Sequence, residues 1–233
     1  MKGPGGSSGR DYVRIQPMIV LASNSPRRRQ LLKLGGWDFQ VIPAGVDEDM
    51  LAGEAPPGYV LRLSQEKAHA AAPYAPPGST VIAADTTVVL ENRILGKPES
   101  PAEAVEMLEK LRSRRHQVFS GVAVLRTHDL KMLTGVCATD VFMRDYSDVE
   151  IRAYVETGDP LDKAGAYAIQ HRGFDPVERL EGCYTNVVGL PLCTVIRLLR
   201  QVGVEPPIEI TADCELNPHS DCLAARMVMD AEL

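Results

Sequence analysis

The chain has 233 residues, 45% of them hydrophobic, enough to bury a real core in one large domain or two small ones. Its formal net charge of −6 and pI near 5.4 argue against a general nucleic-acid binder, which needs a basic face to displace counterions, so any anion site must be local. No run reaches the roughly 18 apolar residues of a membrane helix and the first residues lack a signal-peptide core, so no membrane contact is expected and the expected location is the cytoplasm.

Residues 1–17 open with Gly3-Pro4-Gly5-Gly6-Ser7-Ser8-Gly9 and read as a flexible N-terminal extension. They are no dinucleotide fingerprint, because no strand precedes them and no helix follows at once. Met18 to Leu21 reads as a buried strand, Ser25 as an N-cap and Pro26 as the first helical residue. The helix carries Leu31, Leu32 and Leu34 and stops at Gly35-Gly36, where glycine can take the left-handed conformation. Arg27, Arg28 and Arg29 then fall in its first turn, where the helix dipole opposes each cation by about 0.3–1 kcal/mol. Either an anion compensates them, for which the free amides and guanidinium forks suit a phosphate, or they are simply solvated.

Phe39 to Ile42 is a second strand, and the acidic loop Ala44 to Asp49 after it is either a solvated turn or part of a site. A helix over Pro57 to Ala72 has Tyr59, Leu61 and Leu63 as core candidates and carries Lys67. Thr80 to Leu90 is the most strand-like stretch, with Asp85 in its middle. A carboxylate among β-branched residues needs compensation, from a capped strand end or from a metal or catalytic role. Glu91-Asn92 turns the chain into Arg93 to Leu95, and Gly96-Lys97-Pro98 leaves the sheet with a lysine.

Ser100 and Glu103 form a capping box for a helix with Ala104, Val105, Met107, Leu108 and Leu111 on its core face. His116 to Leu125 and Leu133 to Met143 read as two long strands joined near His128-Asp129, and Ser147 with Glu150 caps a helix to about Thr157. Asp159 to Gln170 has turn chemistry and small residues, either an ordinary connection or a loop that packs closely on something. The chain is loop-like to Thr185, and Pro191 starts a last amphipathic helix that ends near Gly203. Residues 205–233 read as a tail with little core. The five cysteines (Cys137, Cys183, Cys193, Cys214, Cys222) form no CxxC pair and are expected as reduced thiols, and Cys214, His219 and Cys222 are too irregularly spaced for a good zinc site.

One arginine-rich helix start, lysines after structured segments and carboxylates at strand or loop positions suit a metal-assisted hydrolase acting on phosphates. The Walker GxxxxGK[ST], HExxH and GxSxG patterns are absent.

Ser23-Asn24-Ser25-Pro26-Arg27-Arg28, Glu66-Lys67-Ala68, Ala84-Asp85-Thr86, Lys97-Pro98 and Asp162-Lys163-Ala164-Gly165 through Ile169-Gln170 resemble, in order, the motifs of the Maf family of nucleoside triphosphate pyrophosphatases, linked to septum formation. The resemblance covers about Met18 to Val202. It implies an α/β catalytic domain over 18–204, with an elongated mixed β-sheet, flanking helices and two lobes around a central cleft, assembled as a homodimer. It implies hydrolysis of a nucleoside triphosphate between its α and β phosphates, with Asp85 accepting the proton of the attacking water. Ser23, Arg27, Arg28, Lys67, Thr86, Lys97 and Gln170 are the implied substrate-binding residues, and Glu48 with Asp85 would hold a divalent cation, Mg or Mn. The Asp162 to Gln170 stretch, with Arg27, Thr86 and Gln170, resembles the branch that takes dTTP and UTP more than the branch that prefers 7-methyl-GTP. A nucleotide-binding regulator of division without turnover is the alternative from another class. Gly96 stands before Lys97 where the family commonly has an acidic residue.

Overall fold

The computed structural model describes residues 17–207. The extension through residue 16, the tail from residue 208, and with it Cys214, His219 and Cys222, lie outside the described residues.

The molecule is built on β3 (Thr80–Leu90), buried along its length except at Thr86. Its β-branched residues suit a pleated, covered surface, and its side chains alternate between two buried faces. Strand β5 (Arg115–Arg126) pairs antiparallel along one edge of β3, from Thr80 opposite Arg126 to Val89 opposite Gln117. The other edge is shared. There β1 (Ile19–Leu21) runs parallel to residues 80–82, and β4 (Arg93–Leu95) runs antiparallel to residues 88–90. Among the described residues, 83–87 therefore have no strand partner on that edge, and Asp85 and Thr86 lie in the gap. With β2 (Phe39–Val41), β6 (Met132–Met143) and β7 (Val177–Glu181) the sheet has seven strands in the order β2-β1-β3-β5-β6-β7, with β4 beside β3. Strands β1 to β3 pair parallel and the rest antiparallel, so the sheet is mixed.

The same gap divides the core. On one side of the sheet, helix α1 (Pro26–Leu34) and helix α6 (Leu192–Gln201) bring Leu31, Leu32, Val195 and Leu199 onto Ile82 and Ala84. On the opposite face, helix α2 (Pro56–Ala71) lays Ala68 and Ala71 on Val81 and Ala83. Beyond the gap, Val88 and Leu90 pack with Leu108 and Leu111 of α3 (Pro101–Leu111) and Ile151 and Tyr154 of α4 (Asp148–Glu156). Each leucine, isoleucine or valine among them stabilises its lobe by about 1.5–3 kcal/mol on burial, and the alanines by less.

The helix ends follow from local chemistry. Ser25 Oγ accepts from the Arg28 amide at 3.4 Å, Pro26 opens α1, and Gly36 takes φ 78° past its end. The capping box expected at Ser100 is only half formed: Ser100 accepts from the Glu103 amide, but the Glu103 carboxylate reaches past it to the Glu99 amide at 2.6 Å. Ser147 and Glu150 make the complete box.

Three expectations change. Helix α2 starts at Pro56, behind Ala55. Its core face is Val60, Leu63, Ser64, Lys67, Ala68 and Ala71, while Tyr59 and Leu61 are only half-buried, because Val60 takes the sheet-facing position. The stretch to Thr185 is not loop throughout: it holds β7 and α5 (Tyr184–Val188). Both are five residues long, below the length at which periodicity is readable; β7 carries Glu178, Arg179 and Glu181 exposed, and the Cys183 thiol meets Thr185 Oγ1 at 3.2 Å in place of a side-chain cap to the α5 amides. After α6, Val204 is buried and the Glu205 carbonyl accepts from Trp37 Nε1 at 3.2 Å. No helix of the described residues is long and apolar enough to cross a membrane.

Candidate active site

Alternation along β3 sends Asp85 to the α2 face and Thr86 to the α5 and α6 face, so the site wraps around the open edge of one strand. Opposite Asp85 lies Gly121, where a Cβ would stand 2.2 Å from the Val60 carbonyl oxygen. Glycine thus lets the backbone of α2 settle directly on β5. Lys67, two helical turns beyond Val60, then reaches Asp85. Its Nζ lies 2.6 Å from Asp85 Oδ1 and 2.6 Å from Glu48 Oε1, one ammonium between two carboxylates. Lys67 and Asp85 are buried.

Glu48 comes from the acidic loop between β2 and α2, which α2 clamps. Tyr59 donates to the Glu48 carbonyl at 2.8 Å, and Arg62 donates to the Asp49 carbonyl at 2.9 Å while bridging to Glu54 at 2.8 Å. Burial raises the Glu48 pKa, but the Lys67 hydrogen bond and charge, with Lys97 and Arg28 further off, outweigh it and hold the carboxyl below its ordinary value. Burial and the charges of Asp85 and Glu48 push the Tyr59 phenol up to about 12, so it stays a hydrogen-bond donor at neutral pH.

On the other face, Arg28 turns inward. Its Nε donates to the Gly189 carbonyl at 2.8 Å, Nη2 to Thr86 Oγ1 at 3.2 Å and Nη1 to Ser23 Oγ at 3.5 Å. Burial lowers its pKa against the pull of Asp85, yet a guanidinium keeps its proton. Arg27 instead reaches across the cleft to Asp162, 3.6 Å away. Arg29 donates to the Asn24 carbonyl at 2.9 Å and does not line the cleft. The 159–170 loop is pinned from below: Tyr154 donates to Asp159 at 2.7 Å and accepts from the Ala168 amide at 3.1 Å, and Lys163 bridges Asp159 and Asp162 at 2.8 and 2.7 Å.

All the residues named from the sequence line one cavity of about 580 Å³: Ser23, Arg27, Arg28, Glu48, Lys67, Asp85, Thr86, Lys97 and Gln170. Five basic side chains (Arg27, Arg28, Lys67, Lys97, Lys163) face three carboxylates (Glu48, Asp85, Asp162) there, so an acidic chain carries a locally positive cleft. Sequence reading missed the Gly189 carbonyl, for which side-chain chemistry gives no signal, and misread Tyr59 as core. Among the described residues no group of three or more His, Cys, Asp or Glu side chains converges. The carboxylates of Glu48 and Asp85, both also held by Lys67, are the hard oxygen donors that could hold a cation; such a pair suits Mg or Mn, which are held by one or two carboxylates with phosphate and water completing the shell.

The family model described as Maf-like protein matches residues 18–202. A dTTP/UTP pyrophosphatase of Dehalococcoides mccartyi is 41% identical over 211 residues, covering 91% of this chain and 92% of that protein. One of Anaeromyxobacter dehalogenans is 48% identical over 197 residues (84% and 99%), and one of Geotalea uraniireducens 46% over 191 residues (82% and 98%). Among solved structures, the Ham1 protein of Staphylococcus aureus aligns with TM-score 0.41 and 22% identity over 67% of this chain and 89% of that one. With the family model spanning nearly all of the described residues, and relatives this similar along almost their whole length, the chain belongs to the Maf family.

Proposed function

We propose that the chain is a metal-dependent nucleoside triphosphate pyrophosphatase that cleaves dTTP and UTP to the monophosphate and pyrophosphate. The observation that carries this reading is the buried Asp85–Lys67 pair, joined by the more exposed Glu48, in a positively charged cleft. That the relatives are dTTP/UTP pyrophosphatases supports the choice of substrate. Asp85 accepts a proton from water as the water oxygen bonds to the α-phosphorus and the bond from that phosphorus to the α–β bridging oxygen breaks. Lys67 occupies Oδ1, and no side chain of the described residues hydrogen-bonds Oδ2, which suits Oδ2 to take that proton. Arg27, Lys67 and Lys97 balance the charge on the phosphates. Glu48 and Asp85 would hold the divalent cation, which when bound polarises phosphate oxygens as a Lewis acid. Thr86 and Gln170 face the base side of the same cleft, where the Gln170 amide offers a donor and an acceptor to a pyrimidine edge. Assembly as a homodimer in the cytoplasm belongs to the same proposal and rests on the family resemblance.

The test is incubation with Mg²⁺ or Mn²⁺ and a nucleotide panel. Pyrophosphate release from dTTP and UTP, lowered about 10²–10⁴-fold in kcat by Asp85→Asn, is expected. Binding without turnover would favour a regulator, and preference for 7-methyl-GTP would overturn the substrate assignment.

A further inference from the structure

The Thr86 hydroxyl has three polar neighbours, all protein atoms: Arg28 Nη2 at 3.2 Å, the Gly189 carbonyl at 3.2 Å and Ser120 Oγ at 2.7 Å. A hydroxyl has one proton and two lone pairs. If Thr86 donates to Gly189, Ser120 and Arg28 fill both lone pairs. If Thr86 donates to Ser120, Ser120 passes its own proton to the Asn186 carbonyl at 3.4 Å. In either arrangement the Thr86 proton stays inside the protein, and none is left to donate to a nucleotide.

Ser120 is fully buried, does not line the cleft, and stands on β5 between the buried, apolar Val118 and Val122. A hydroxyl is costly there unless hydrogen-bonded, and its short bond is to Thr86. The Gly189 carbonyl accepts from both Arg28 and Thr86, on a backbone at φ 126° that only glycine adopts freely. Helix α1, strands β3 and β5 and the turn after α5 thus meet at one hydroxyl pair.

We propose that Ser120 is a positioning residue for nucleotide binding: through Thr86 it fixes Arg28 and the Gly189 carbonyl as one rigid wall of the cleft, so that Thr86 serves recognition by placing that wall and not by donating a hydrogen bond to the base. The identity of the nucleotide rests on the pyrophosphatase reading above; the wall itself does not.

The test compares wild type, Ser120→Ala, Thr86→Val and the double variant in three readouts. These are kcat and KM for dTTP, the Kd of an α,β-imido analogue of dUTP, and the solvent exchange rate of the Arg28 Nε proton by NMR without nucleotide. Ser120→Ala is expected to raise KM and Kd about tenfold, the scale of one lost hydrogen bond, with kcat within about twofold. The double variant is expected to be no worse than the worse single, and Arg28 exchange to accelerate in all three. If Ser120→Ala lowers the melting temperature, Ser120→Cys leaves no cavity, with a somewhat larger group that hydrogen-bonds only weakly, and carries the same comparison. Unchanged KM and exchange in Ser120→Ala, or losses that multiply in the double variant, would overturn the proposal. Accelerated exchange together with no turnover of dTTP by the wild type would sink the pyrophosphatase reading and leave the positioning role standing.

Discussion

Lys67 holds two carboxylates, and burial decides which contact matters. The Lys67 and Asp85 side chains are each 10% exposed, whereas Glu48 is 54% exposed. Removing one partner of a buried pair costs about 3–5 kcal/mol, because the remaining charge is left dry and uncompensated. A pair with one partner half in water contributes about 0–1 kcal/mol. Lys67→Met should therefore destabilise the chain by several-fold more than Glu48→Gln in chemical denaturation, and equal losses would contradict the burial argument. At this scale the sequence was informative for side chains with chemistry out of place: a carboxylate in a strand and cations at the wrong end of a helix. It was silent on Ser120 and Gly189, because a small hydroxyl or a carbonyl has no signature apart from the partners folding brings to it.

At the scale of elements, the site depends on how closely α2 seats on β5. A Cβ at Gly121 would press into the Val60 carbonyl, and the helix cannot yield without moving Lys67. Gly121→Ala is expected to cost about 1–3 kcal/mol in stability, as overpacking does, and to lower kcat/KM as well; normal activity with wild-type stability would show that α2 has slack. His116 of β5 gives the pH response. Its Nε2 meets the Tyr167 hydroxyl at 2.8 Å, and burial, partly offset by Asp140, pushes its pKa down to about 4. The unfolded chain takes up that proton near pH 6.5 and the folded one only near 4, so the unfolded state binds more protons between them. The contribution is complete above pH 6.5 and is lost as pH falls towards 4, by on the order of 3 kcal/mol. Thermal unfolding across this window should slope more steeply for wild type than for His116→Gln; parallel slopes would refute it. The long elements β3, α3, β5 and β6 were legible because they run for several periods of their own pattern. Strand β7 and helix α5 were not, since five residues supply barely one period and tertiary contacts hold them.

Across the whole molecule, the cleft exists because two strands share one edge of β3 and neither covers residues 83–87. That sharing is a property of topology, so the sequence could order the site residues along the chain but could not bring Glu48, Lys67 and Asp85 within reach of one another. The resulting cleft is basic inside a chain of net charge −6, which favours a compact polyanion over a long nucleic acid. The claim that this cleft directs water at the α-phosphorus is tested most directly by hydrolysing dTTP in ¹⁸O-labelled water with Mg²⁺ and resolving the products by mass. Pyrophosphate without label and thymidine monophosphate carrying one ¹⁸O are expected; label in the pyrophosphate, or release of orthophosphate, would contradict attack at the α-phosphorus.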